Sequence, residues 1–325
     1  MISVVIATRN RAALLHETLE AIAAQQSPGC PYEVIVIDNG SSDHTPEAVA
    51  AASRRSAMPV VYLHESRPGK SHALNTAVER AQGDLLVLTD DDVLPSPGWL
   101  AGYSRAFAET GADYAVGRIV PRWEAAVPSW MSPALYGVLA IPEGGSERLV
   151  IDDVNASDIM PIGANMAVRK NVLDVIGGWN PELGKLHGTL RTGEDHEFAL
   201  RMVAAGFTGV YEPQAVVAHR VPPERLRLGY FQRWFFDNGA IVAGLERRYP
   251  TTEHFLFDTP RHMWRELVND ILSLAAAGAR LNLPRAVASY LRIVWFAGYF
   301  RARRADRGSA AQDGAAVPPR IGESA

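Results

Sequence analysis

Through the first third of the chain, short unbroken apolar runs alternate with stretches in which apolar residues recur every three or four positions. SVVIAT (residues 3–8), EVIVID (33–38), VVYL (60–63) and DLLVL (84–88) read as strands buried on both faces. Leu15, Leu19 and Ile22, and later Leu74, Ala77, Val78 and Ala81, repeat at helical spacing, and Asp43 or Thr45 is placed to cap a helix between the second and third strands. Strands joined by crossover helices predict an α/β domain with a mostly parallel central sheet flanked by helices. In such open sheets ligands sit beyond the carboxyl ends of the strands. Those ends are all polar here: Thr8-Arg9-Asn10, Asp38-Asn39, Arg67 to Lys70, and Asp90-Asp91-Asp92. Each has an ordinary explanation alone, as a turn or a helix cap. Four on one edge point to a site.

The pattern changes after residue 120. Residues 121–160 are rich in Pro, Trp and Gly and predict a long loop lying over something. A second regular stretch follows, through GANMAVRKNVLDVIGGWNPELG, TGEDHEFALR and YEPQAVVAH. From about residue 224 to 300 the spacing is helical. Trp264, Leu267, Val268, Ile271 and Leu272 mark one amphipathic helix, and Val287, Leu291, Val294 and Trp295 a second that opens at Pro284. The last residues have the composition of a disordered tail. The expected organisation is one sheet domain over 1–222, a C-terminal helical extension over 223–303, and a tail over 304–325.

Composition narrows the classes. With 325 residues, 47% of them hydrophobic, the chain can bury a large core, and a net charge of −4 provides no basic field for nucleic acid. A lone cysteine, Cys30, excludes a disulfide framework and a multi-cysteine zinc site. ISVVIAT opens the chain as a strand without a basic leader, and the longest apolar stretches near the C-terminus fall short of the roughly 20 residues of a spanning helix. The expected place is the cytoplasm, with contact at the inner face of a membrane through the C-terminal helices left open, as are a homodimer and a helical cap.

Three constellations carry chemistry. Adjacent carboxylates after a core strand repel one another unless a cation meets them, and hard oxygen ligands suit Mg²⁺ or Mn²⁺. In an extended backbone Asp90 and Asp92 face one way and Asp91 the other. GKS at 69–71 followed by LLVLTDD imitates a P-loop nucleotidase, but His64 stands where that loop needs its first glycine. Glu194 and Asp195 open a helix, where acids either meet the helix dipole or present a general base at the rim of a site. His219 ends the strand AVVAH and becomes a metal ligand only if that strand ends near the acidic triplet.

The ordered set VVIATRNR, VIVIDNGSSD, GKSHALNTAVERAQGDLLVLTDDDVLPSPGWL, GANMAVRKNVLDVIGGWNPELG, GEDHEFALR and YEPQAVVAH resembles a family 2 glycosyltransferase of the GT-A (Rossmann-like) fold, over roughly residues 2–220. The resemblance implies a metal-dependent, inverting transfer of one sugar from a UDP-, GDP- or dTDP-sugar to an acceptor hydroxyl. It assigns Thr8, Arg9 and Asp38 to the nucleobase side of the donor, Lys70 and Asn75 to the nucleotide pocket, and Asp90, with Asp91 beside it, to the ribose side. By the same resemblance Asp92 and Asp90 would form the DxD metal pair with His219 as a third ligand, and Asp195 of the Glu194-Asp195 pair would be the base. The GGW turn and the 121–160 loop would shape the acceptor pocket. YFQRWF lacks the QxxRW spacing of processive members, which favours single transfers. A P-loop-like NTPase and a non-catalytic nucleotide-sugar binder are the alternatives.

Overall fold

Strands β1 (Ile2–Thr8), β2 (Tyr32–Asp38), β3 (Val60–His64) and β4 (Leu85–Asp90) pair in parallel in the order β3-β2-β1-β4. The computed structural model describes all residues except 57, 143, 152–158, 185–192, 250–253, 258 and 314–325, and the backbone alone over 306–313. Helices α1 (Ala12–Ala23), α2 (Thr45–Arg55) and α3 (Lys70–Arg80) make the crossovers. The apolar residues counted at helical spacing are the ones buried: Leu15, Leu19 and Ile22 on α1, and Leu74, Ala77 and Val78 on α3 with Ala81 just beyond it. Uniformly apolar strands need cover on both faces, and crossover helices supply it for β1, β2 and β4. β3, expected to be buried on both faces, is instead the edge strand and only partly covered, with Tyr62 37% exposed.

Beyond β4 the sheet becomes mixed. β5 (Val93–Pro95), α4 (Trp99–Thr110), β6 (Tyr114–Trp123), β7 (Leu149–Ile151), β8 (Asn165–Arg169), α5 (Lys170–Ile176), α6 (Glu194–Ala204) and β9 (Gly209–Val221) extend it to the order β3-β2-β1-β4-β8-β6-β9-β5, with β7 also on β9. β8 runs antiparallel to both β4 and β6, and β6 is parallel to β9 across a bulge at Gly117/Arg118. The start of the expected 121–160 loop is therefore strand: β6 carries Pro121-Arg122-Trp123. A turn of 3₁₀ helix at Pro133–Leu139 and β7 follow.

The joint between the two halves of the sheet is held by Asn165. This buried side chain accepts from Trp99 Nε1 and the Tyr103 hydroxyl, both at 2.7 Å, and donates to the carbonyls of Arg118 (2.9 Å) and Ala215 (2.8 Å). It satisfies groups from α4, β6 and β9 at the bulge, where the ladder cannot pair them.

Packing divides the chain into a unit Met1–Phe231 and a unit from Gln232 on. The first unit continues past residue 222 because Phe231 is buried edge-on against Trp130, with ring centroids 5.2 Å apart. The second unit contains most of α7 (Leu228–Arg248), α8 (Arg261–Ala279) and α9 (Leu283–Asp313). Trp264 stacks on Phe300 and Trp295 on Tyr299, while Trp295 Nε1 donates to Asn238 at 2.8 Å. Glu266 and Asp270 of α8 both accept from Arg292 of α9. α9 stays helical into the stretch expected as a tail, and residues 314–325 lie outside the described residues. Among the described residues no helix is long and apolar enough to cross a membrane.

Asn165→Ala would strand four polar groups that the fold keeps from water, at about 1–3 kcal/mol each when taken singly. Because such losses overlap, a net destabilisation of about 3–5 kcal/mol is expected, read as a lowered urea midpoint.

Candidate active site

Two residues separate β4 from β5, so the acidic triplet is a tight bend at the carboxyl edge of the sheet. Alternation survives the bend. Asp91 turns inward, accepting from the Thr8 hydroxyl at 2.7 Å and from Arg11 Nη1 at 2.8 Å. Asp90 and Asp92 face the other way, toward the end of β9. Antiparallel pairing of β5 with β9 sets Val93 opposite His219, so the histidine arrives beside Asp92. The condition set for a metal role of His219 is met: ligand atoms of Asp90, Asp92 and His219 all lie within 4.8 Å of one another.

The triplet is not electrostatically bare. Lys70, the first residue of α3, donates to Asp90 at 2.9 Å. Arg11 bridges Asp91 and Asp92, at 2.8 and 3.2 Å, and Arg225 donates to Asp92 at 3.1 Å with Nη1 3.5 Å from His219 Nε2. Burial by itself would raise the Asp92 carboxyl, but His219, Arg225 and Arg11 hold it well below the usual carboxylate range. Burial likewise works against the Lys70 charge, and Asp90, Asp195 and Glu194 overcome it, raising the ammonium above the ordinary lysine range. Burial pushes Asp91 up, with Arg11 pulling the other way. Each carboxylate meets a cation of the chain: Lys70 comes from the start of α3, Arg11 from the approach to α1, and Arg225 from the turn after β9. Neither arginine was singled out in the sequence, since each becomes adjacent to the triplet only through the sheet.

Across from the triplet, the chain entering β8 brings Gly163 to the start of α6. The Gly163 amide donates to Asp195 Oδ2 at 2.8 Å. A Cβ on Gly163 would lie 3.0–3.1 Å from both carboxylate oxygens of Asp195 and 3.1 Å from Lys70 Nζ, so only glycine lets these side chains meet over its backbone undisturbed. Asp195 Oδ1 is buried with no hydrogen-bond partner among the described residues. Glu194 is buried one residue before it. Asp90, Asp92, His219, Lys70, Glu194 and Asp195 thus gather on one side of the strand ends.

The remaining expected residues divide. Arg9 is half-buried, and its Nη1 has no partner among the described residues. Asp38 is buried and accepts from the Ser41 amide and the Tyr62 hydroxyl, both at 2.7 Å. Thr8 serves Asp91. Asn75 is spent on the main chain of Trp179, accepting from its N–H and donating to its carbonyl, each at 2.8 Å. Trp179 is itself buried and stacked on Phe198 at 4.3 Å. The tryptophan of the GGW turn therefore builds core under α6 rather than an acceptor wall. Asn39, read in the sequence as turn chemistry, ties the end of β2 to the loop before Lys70: its Nδ2 donates to the Glu65 and Arg67 carbonyls and its Oδ1 accepts from Gly69 N.

Carboxylate oxygens are the donors that suit Mg²⁺ or Mn²⁺, and the imidazole beside them is a donor better matched to a transition metal such as Mn²⁺ than to Mg²⁺. His219 Nδ1 is buried without a hydrogen-bond partner among the described residues, while Nε2 lies 3.5 Å from Asp92 Oδ1 and 3.5 Å from Arg225 Nη1. The residues present fit a divalent cation.

The family model described as glycosyl transferase family 2 matches residues 3–177. The chain is 26% identical over 247 residues to the glycosyltransferase AglE of Haloferax volcanii, covering 73% of this chain and 75% of that one. It is 27% identical over 228 residues to the succinoglycan biosynthesis protein ExoM of Rhizobium meliloti, covering 69% of each. Among solved structures, a mannosyltransferase of Pyrobaculum calidifontis in complex with GDP-Man and Mn²⁺ superposes with a TM-score of 0.58 at 21% identity, over 97% of this chain and 76% of that one.

Two expectations follow from the electrostatics. Glu65 accepts from Arg67 and Thr76 and shapes the loop that delivers Lys70; the Arg67 hydrogen bond holds its carboxyl down to about 2, against burial. A depressed carboxyl stabilises the fold above its unfolded value and loses that contribution as pH falls toward the folded one. Thermal midpoints should therefore fall more steeply with acid between about pH 4.5 and 2 in the wild type than in Glu65→Gln. Removing a cation 3.1 Å from Asp92 should make the protein without donor bind Mn²⁺ more tightly in Arg225→Ala, by about tenfold in calorimetric titration.

Proposed function

From the premise that this chain belongs to glycosyl transferase family 2, and is an enzyme of glycosyl transfer rather than a P-loop NTPase or a non-catalytic binder, we propose that it moves a single sugar from a nucleoside-diphosphate-sugar to an acceptor hydroxyl with inversion. The observation that carries the reading is the convergence of Asp90, Asp92 and His219, within 4.8 Å, at the carboxyl end of β4. A UDP-, GDP- or dTDP-sugar is the donor class, and Asp92, Asp90 and His219 would hold Mg²⁺ or Mn²⁺. Bound there, the ion would offset the negative charge that grows on the departing diphosphate.

The chain's own groups do the rest. Asp195 is fixed through Oδ2 by the Gly163 amide, leaving Oδ1 to receive the proton of the acceptor hydroxyl. As that proton leaves, the acceptor oxygen bonds to the anomeric carbon and the bond from that carbon to the phosphate oxygen breaks. A single displacement inverts the centre and needs no second carboxylate nucleophile. Lys70, kept cationic by Asp90, Asp195 and Glu194, adds fixed positive charge beside the same edge. Arg9, with Nη1 unpartnered among the described residues, and Asp38 are the groups proposed for the nucleoside side. Thr8 and Asp91 support that loop through their mutual hydrogen bond, and Asn75 supports the wall behind it through Trp179.

Screened against UDP-, GDP- and dTDP-sugars, turnover should require Mg²⁺ or Mn²⁺, vanish in EDTA, and fall by at least about a hundredfold in Asp92→Asn and Asp195→Asn while both fold normally. Undiminished turnover in EDTA would remove the ion from the reading. Undiminished turnover in Asp195→Asn would remove the base.

A further inference from the structure

The amphipathic pattern of α8 places Trp264 and Leu267 toward α9, but Val268, Ile271 and Leu272 are 53%, 50% and 62% exposed. The same outward face continues through Ala275, Ala276 and Ala279 to the α8–α9 turn, where Leu281 is 91% exposed and Leu283 51%. Apolar surface on this scale along one helix is uncommon on a face meant only for water.

Leu281 is the sharpest part of the patch. Its amide bonds back to Gly278 O and the next amide, that of Asn282, to Ala277 O, closing α8 in a Schellman turn. Leu281 occupies the left-handed position with φ +53°. Folding favours glycine there, since a Cβ costs roughly 1 kcal/mol. At 91% exposure the leucine side chain recovers almost nothing within the chain. A side chain that strains its own turn and stands in water is placed for something outside the molecule.

Charge identifies the occupant. The face is flanked by exposed Arg261, Arg265, Arg280 and Arg285. The acids of α8, Glu266 and Asp270, are both paired with Arg292 of α9. From Gln232 on, the sequence carries thirteen arginines, no lysine and nine acids, although the whole chain is at −4. A second copy related by two-fold symmetry would bring like charges together with no described acid on the face to meet them. We propose that the outward face of α8 and the α8–α9 turn bind an anionic lipid surface, with Ile271, Leu272, Leu281 and Leu283 entering the headgroup boundary and the four arginines meeting lipid charge. The proposal stands independently of the transfer reaction.

Flotation of the full chain with vesicles of phosphatidylglycerol in phosphatidylcholine, against phosphatidylcholine alone, tests it. Binding is expected only with the anionic vesicles and is expected to weaken with salt. Arg280→Ala and Arg285→Ala should each weaken it about fivefold. Leu281→Gly should weaken it about tenfold while raising the thermal midpoint, a pair of opposite effects that misfolding cannot imitate. Absence of flotation with anionic vesicles, equal flotation with neutral ones, or flotation unchanged in Leu281→Gly overturns the proposal. So does self-association of the chain that Ile271→Ser/Leu272→Ser abolishes without any vesicle binding, which would assign the face to a second copy.

Discussion

A carboxylate taken out of water must be met by positive charge or be protonated, and this fold places two buried carboxylates directly after a half-buried one at the end of a core strand. Its answer is distributed. Lys70 from α3, Arg11 from the start of α1 and Arg225 from the turn after β9 each reach the bend between β4 and β5. The crossover helices and the last strand of the sheet are thereby tied to one point. The same ion pairs that make the bend tolerable also fix the groups around it, so site and scaffold share their electrostatics.

The sheet's change of direction makes this convergence feasible. In a purely parallel sheet β4 would continue to another crossover, and its carboxyl end would face only neighbouring loops. Here β8 runs antiparallel beside β4, which delivers Gly163 and, through its amide, Asp195. β9 is long enough to pair with β7 at its start and β5 at its end, and His219 near its end and Arg225 in the turn after it both reach Asp92. Asn165 absorbs the polar cost of the bulge that lets β6 follow β9 along this length.

The parts legible in the sequence were those governed by local periodicity. The parallel half, its helices and the polar strand ends were visible because alternating apolar runs and helical spacing are properties of neighbouring residues. The gathering of Asp90, Asp92 and His219 was legible only as a condition. Other readings changed where one residue type serves two purposes. Asn75 binds the backbone of Trp179, and the same amide could as well have lined a pocket. Val268, Ile271 and Leu272 have helical spacing whether they face a core or a surface, and here they face outward.

What the sequence determined by itself is the α/β alternation, the carboxyl edge as the place where polar groups collect, and the identity of the acids there. Each follows from rules that act within about ten residues. Tertiary structure alone decided which cation meets which acid, that Asp91 turns toward Thr8 while Asp92 turns toward His219, and that Asp195 is held beside Lys70 over Gly163. The physical reason is separation along the chain. Arg11, Asp92 and Arg225 are far apart in sequence, and the strand register that joins them is set by core packing rather than by the charges themselves.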